Sequence, residues 1–185
     1  AEVVAITEYP NAYLGSFDKE FLELPKEVII TSMKENQRYF ALLNNDGSLA
    51  NRFVVVANST SKDSALIVAG NERVLRARLS DAQFFWHSDL KNPFNAEKLK
   101  NITYLAGLGS VYDKELRECE ISVVLADIYS SELKALGASK ELLKEAIMLS
   151  KADLATAMVY EFTDLQGIMG GYYAKHAGKN ELICK

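Results

Sequence analysis

Two strand-like runs, RYFALL (38–43) and RFVVVAN (52–58), flank the segment NNDGSLAN, and this arrangement limits the fold more than any other feature of the 185-residue chain. β-Branched and aromatic side chains fit a half-buried pleated surface, and Asp46-Gly47 supplies the positive φ that a tight reversal needs. An antiparallel hairpin is expected. Upstream, AEVVAI is β-branched and apolar and reads as an opening strand. It is followed by a turn-like YPNAYLGS and by FDKEFLEL, where Phe17, Phe21 and Leu24 recur at roughly helical spacing. Pro25 stands where a helix starts, because the first turn leaves its N–H position unpaired anyway. KEVIITSMKENQ continues from it, with Ile29, Met33, Val28 and Ile30 forming the buried side.

Residues 59–62 read as a loop with capping residues, and from Asp63 to about Leu90 the pattern is helical. Within it, GNERVLRARLSDAQFFWHSDLK (Gly70 to Lys91) combines clustered arginines with consecutive aromatics, the mixture expected of a nucleic-acid grip. A helical wheel breaks the grip up. Leu75, Leu79, Ala82 and Trp86 share one narrow face and are expected in the core, while Arg73, Arg76 and Arg78 spread around the outside. Glu72 precedes Arg76 by four and Arg78 precedes Asp81 by three, spacings for helical ion pairs worth about 0.2–0.5 kcal/mol. Arg73 has no such local partner, and Phe84 lies on the polar side. An amphipathic helix with solvated arginines and a phosphate-contacting helix therefore stand as competing readings.

After Pro93 the strand alternation stops. NAEKLKN, LGSVYDKELRECEISVVLADIYSSELKAL, SKELLKEAIMLSKADLATAMVYEF and LQGIMGGYYAKHAG read as successive helices, punctuated by Gly137 and Gly170-Gly171. The expected class is α+β. An α/β region with an antiparallel hairpin (residues 1–92) precedes an all-helical region (93–185), and the join falls near residues 91–105.

The formal net charge of −4 makes any polyanion contact a local patch rather than a property of the whole chain. No GxxxxGK[ST] or GxGxxG phosphate loop occurs. His87 and His176, the two histidines, suit bystander positions better than a nucleophilic or metal site. Cys119 and Cys184 lack metal-ligand spacing and read as reduced thiols. Asp153, Glu161 and Asp164 are set in an otherwise apolar stretch, so each is either a hydrogen-bonded structural group or part of a site. No apolar run approaches the ~18 residues of a membrane span, so a cytoplasmic protein without a membrane partner is expected. The chain opens mid-pattern, as a piece of something longer would.

Four blocks in order, LPKEVIITSMKENQRYFALLNNDGSLANRFVVVAN, GNERVLRARLSDAQFFWHSDLK, GLGSVYDK and KADLATAMVYEFTDLQGIMGGYYAKHAG, resemble the beta subunit of the bacterial heterotetrameric glycyl-tRNA synthetase. The resemblance implies an internal fragment of a larger subunit that works with a catalytic alpha subunit and tRNA(Gly). ATP and Mg would be used through the alpha subunit, and this fragment would bind no cofactor, contact no DNA and be inactive alone. The tRNA-binding candidates are Lys34, Arg38, Arg73, Arg76, Arg78 and Lys91. The helical half resembles an HD-type domain in which the His-Asp pair reads Ala152-Asp153, so the adjacent histidine is missing and Asp153 marks a degenerate position without an intact metal site. Gly171 and the FWHSDLK segment also depart from the family pattern.

Two other readings compete with a tRNA-facing scaffold. One is an HD-type metal phosphohydrolase using Asp153. The other is a purely structural interaction module, with Ile147, Leu149, Leu154, Met158 and Val159 supplying an apolar surface.

Overall fold

The computed structural model describes residues 2–59 and 63–185. They form two compact units, 1–86 and 87–185. The expected loop at 59–62 lies, from Thr60 onward, outside the described residues.

In the first unit, α1 (Glu2–Ile6) precedes β1 (Asn11–Ser16), and a 3-10 turn (Lys19–Glu23) leads to α2 (Lys26–Thr31), which continues as a π turn over Ser32–Asn36. β2 (Phe40–Leu43), β3 (Leu49–Ala57) and the long α3 (Ser64–Leu90) follow, and the division between the units falls inside α3 after Trp86. The hairpin expected at Asp46-Gly47 is present. Gly47 has φ 81°, and the Asp46 carboxylate accepts from the Ser48 N–H and hydroxyl at 2.9 and 2.6 Å. These bonds hold the Asp46 carboxyl below its usual range.

The opening strand is placed one segment too early by the pattern. AEVVAI is helical from Glu2, with Val4 and Ile6 exposed, and the strand is formed by NAYLGS, read above as a turn. What makes NAYLGS a strand is its partner. β1 pairs antiparallel with β3 from Asn11↔Ala57 to Ser16↔Arg52, making β3 the centre of a β1-β3-β2 sheet. A sheet is stabilised by cross-strand pairs that no local pattern reports. Gly15 lies opposite Phe53, and a Cβ added there would fall 2.5 Å from the Phe53 ring, itself fully buried and stacked on Tyr39 at 4.7 Å. Gly15→Ala is expected to destabilise the chain by about 1–3 kcal/mol through overpacking. A urea midpoint equal to that of the unaltered chain would refute this contact.

Phe17, Phe21, Leu24, Val28, Ile29 and Met33 are buried with Leu75, Leu79 and Ala82 of α3, as their spacing predicts. Trp86, expected in the core, is half-buried. Glu72 does not pair with Arg76 but accepts from the Ser16 N–H and hydroxyl (2.7 and 2.9 Å), while Arg76 reaches Asp18 at 3.2 Å. Tertiary partners replace the helical pair because they offer a backbone donor as well as charge.

The second unit is not all helical. After a 3-10 turn (Glu97–Asn101) in place of the helix expected from NAEKLKN, β4 (Thr103–Leu105) and β5 (Gly109–Ser110) form a small antiparallel sheet. They lead into α4 (Val111–Ile128), which begins with a reciprocal Ser110/Asp113 capping box. Next come α5 (Ser130–Ala135), α6 (Lys140–Leu149), a 3-10 turn (Ala152–Ala155), α7 (Ala157–Glu161) and α8 (Ile168–His176). SKELLKEAIMLSKADLATAMVYEF, read as one helix, is thus three pieces. Thr156 caps α7 through Val159 N–H, and side chains distant in sequence hold the breaks open. Ala96, Leu99 and Val111 form a buried cluster, with Tyr112, Met148 and Leu154 packed against it. Leu149, Met158 and Val159, suggested as a partner surface, are buried in this unit, and Ile147 and Leu154 are half-buried.

Candidate functional site

The second unit contains a cavity of about 320 Å³. Its lining comes from four stretches: the end of α3 and its following turn (Asp89, Lys91, Asn92, Phe94, Asn95), Lys98, the 3-10 turn before α7 (Ala152, Ala155, Thr156), and α8 (Tyr173, His176). Asp89 organises one side of it. Its carboxylate accepts from the N–H groups of Ala157 and Met158, each at 3.0 Å, and from the Tyr173 hydroxyl at 2.9 Å. The first two bonds satisfy donors that the first turn of α7 leaves open. Burial, then the neighbouring Asp89 carboxylate, raises the pKa of the Tyr173 phenol, which stays protonated as a donor.

Asp153 performs a second capping task nearby in the chain. It is fully buried, and Oδ2 accepts from Gly167 N–H (2.6 Å) and Gly170 N–H (3.1 Å), the first turn of α8. Gly167 enters with φ 83°, and a Cβ on Gly170 would meet the same Oδ2 at 3.3 Å. Oδ1 is buried without a hydrogen-bond partner among the described residues, and burial raises the carboxyl pKa.

These residues do not fit the metal of an HD-type centre. Asp153 spends one oxygen on the backbone, Ala152 offers no donor in place of the histidine, and no group of three His, Cys, Asp or Glu side chains among the described residues could hold an ion.

The basic candidates do not converge. Arg73 is exposed and has no ion-pair or hydrogen-bond partner among the described residues. Arg76 is tied to Asp18, and Arg78, half-buried, also has a partner. Lys34 pairs with Glu35 at 2.7 Å and Arg38 with Glu2 at 2.6 Å, both beside a separate apolar groove of about 810 Å³ lined by Val3, Ile30, Phe40 and Leu43. Arg38 also ends the α2–π segment with φ 55°, a left-handed position more often given to glycine or asparagine. Lys91 alone of the six lines the cavity of the second unit. Spacing and composition assign no role to Asp89, Lys98 or Tyr173, and they give His176 a bystander position, yet all four line this cavity. The only local hint is Asp89 at a helix end, because its partner Tyr173 lies 84 residues away.

A family model described as glycyl-tRNA synthetase beta subunit matches residues 1–185. The chain belongs to this family. The glycine-tRNA ligase beta subunit of Helicobacter pylori strain Shi470 is 52% identical over 98% of this chain. That of a Sulfurihydrogenibium species is 47% identical over 100%, and that of Pseudomonas putida KT2440 is 44% identical over 97%. The chain spans 26–27% of the length of these relatives. Among the described residues no helix is long and apolar enough to cross a membrane.

Proposed function

We propose that this segment supports tRNA(Gly) recognition and assembly with the catalytic alpha subunit in a cytoplasmic, ATP-dependent glycine-tRNA ligase. The observation that carries the reading is the family match along the whole chain. On this reading the segment presents surfaces to RNA and to other parts of the enzyme, binds no cofactor, contacts no DNA and has no ligase activity alone, the ATP and Mg being used at the alpha subunit.

Assembly is supported by α4. Ile121, Val124, Leu125 and Ile128 recur at helical spacing and are 47–65% exposed, an apolar stripe of the kind that partners cover. RNA contact is supported by Arg73, whose guanidinium has no carboxylate among the described residues to give up before meeting a phosphate. Arg76, Lys34 and Arg38 would first have to leave Asp18, Glu35 and Glu2. Arg73→Ala in the assembled enzyme is therefore expected to weaken filter binding of tRNA(Gly) about 3- to 10-fold near 50 mM salt and to reduce the slope of log K against log salt by about 1. Unchanged affinity at both low and high salt would remove Arg73 from the interface.

A further inference from the structure

We infer that the cavity lined by Lys91, Phe94, Lys98 and His176 binds a nucleotide, its phosphate met by the two lysines and the imidazole and its ring by the apolar floor. Where the nucleotide belongs to a bound RNA the inference rests on the proposed role in tRNA recognition, and where it is free the inference stands without that role.

Charge comes first. Among the described residues, the side chains of Lys91, Lys98 and His176 have no ion-pair or hydrogen-bond partner, whereas Lys100 and Lys179 are tied to Glu97 and Glu145 at 2.6 and 2.9 Å. Asp89 is the one carboxylate in the lining among the described residues, and three donors, two of them backbone N–H groups, already engage it. Its charge balances one lysine and leaves the other uncompensated. Two lysines beside one carboxylate leave the lining with a net positive charge, which attracts an anion, and the concave shape concentrates the field.

Size and polarity then select the anion. A cavity of about 320 Å³ has far more room than a bare phosphate needs and is at the lower end of small-molecule sites. Phe94, Ala152 and Ala155 give it an apolar floor that an inorganic ion would not use. Two amides supply edge recognition. Asn92 donates to Ser88 O at 2.9 Å and keeps its Oδ1 unengaged, while Asn95 Oδ1 accepts from Glu97 N–H at 3.0 Å and keeps its NH₂ unengaged, among the described residues. One vacant acceptor and one vacant donor beside an apolar floor suit the mixed edge of a nucleobase. The phosphate-bearing nucleotide is either a free mononucleotide or an unpaired nucleotide of a bound RNA.

The test is photolabelling of the assembled enzyme with 8-azido-AMP, the labelled peptides being mapped by mass spectrometry so that beta-subunit labelling is separated from any on the alpha subunit. The expected result is labelling of peptides within residues 87–98 or 152–177, competed by AMP but not by adenosine. Labelling should fall at least about tenfold in the Lys91→Gln/Lys98→Gln enzyme, the size expected for losing hydrogen bonds to a charged group. Displacement of the label by saturating tRNA(Gly) would assign the site to an RNA nucleotide, and persistence would assign it to a free one; both support the cavity. No label in these peptides, equal competition by adenosine, or full labelling of the double variant would each overturn it. The adenosine arm uses unaltered enzyme and so does not depend on how the variant folds. Loss of the Arg73 effect on tRNA affinity would leave this result untouched, so the two readings fail separately.

Discussion

Asp153→Ala is expected to lower the stability of the chain by about 3 kcal/mol, because it empties a fully buried position and takes from the part-buried N–H groups of Gly167 and Gly170, at the start of α8, the acceptor they share. Urea unfolding measures the loss. Hydrogen exchange at residues 167–170 locates it, and unchanged protection there would show that Asp153 does not hold the helix. Asp153→Asn keeps one carbonyl acceptor and should cost less. The pH dependence separates the two variants further. Burial raises the Asp153 carboxyl pKa above its unfolded value of about 4, so the native state holds the proton more tightly than the unfolded chain. Its contribution to stability is therefore fully present below the unfolded value and is lost as pH rises through the folded value. Relative to Asp153→Asn, which carries no titrating group there, the unaltered chain should lose stability as pH climbs from about 4. A pH-independent difference would mean that the carboxyl titrates normally.

Asp89→Ala should cost about 2–4 kcal/mol. Two donors at the start of α7 and the buried Tyr173 hydroxyl lose their acceptor together, and each such loss is worth about 1–3 kcal/mol where water cannot replace it, less where it can. Tyr173→Phe removes only the hydroxyl and should cost about 1 kcal/mol. The double variant should be more stable than the sum of the singles implies, by about 1 kcal/mol, since the hydrogen bond between the two side chains can be lost only once. Strict additivity would show that Tyr173 and Asp89 do not depend on each other. This pair bounds the cavity of the second unit, so its rigidity also sets how well that cavity is preformed.

How much of this was readable in advance follows from the range of each interaction. The Asp46-Gly47 hairpin and the buried face of Leu75, Leu79 and Ala82 rest on neighbours within a few residues, and period and turn chemistry report them directly. The capping residues Ser110 and Asp113 lie just as close together. The β1 segment reads locally as a turn because its strand character comes from β3, more than thirty residues later. The long helical reading of residues 139–162 failed for a similar reason. Its apolar spacing is sound, but Asp89 and Thr156 make a fresh helix start at Ala157 cheaper than continuing the old one.

The arginines show the same division. Spacing alone singled out Arg73, and the structure leaves it exposed and unpaired among the described residues. Spacing also paired Glu72 with Arg76, whereas the fold offers each a better partner in Ser16 and Asp18.

By itself, the sequence determined the family, the antiparallel hairpin, the core face of α3 and the absence of a histidine beside Asp153, because each is written in residue identity or short-range periodicity. Only the tertiary structure decided what Asp89 and Asp153 do and which cations share a cavity. A carboxylate takes whatever donors the fold brings within 3 Å, and here those donors lie 14 to 84 residues along the chain.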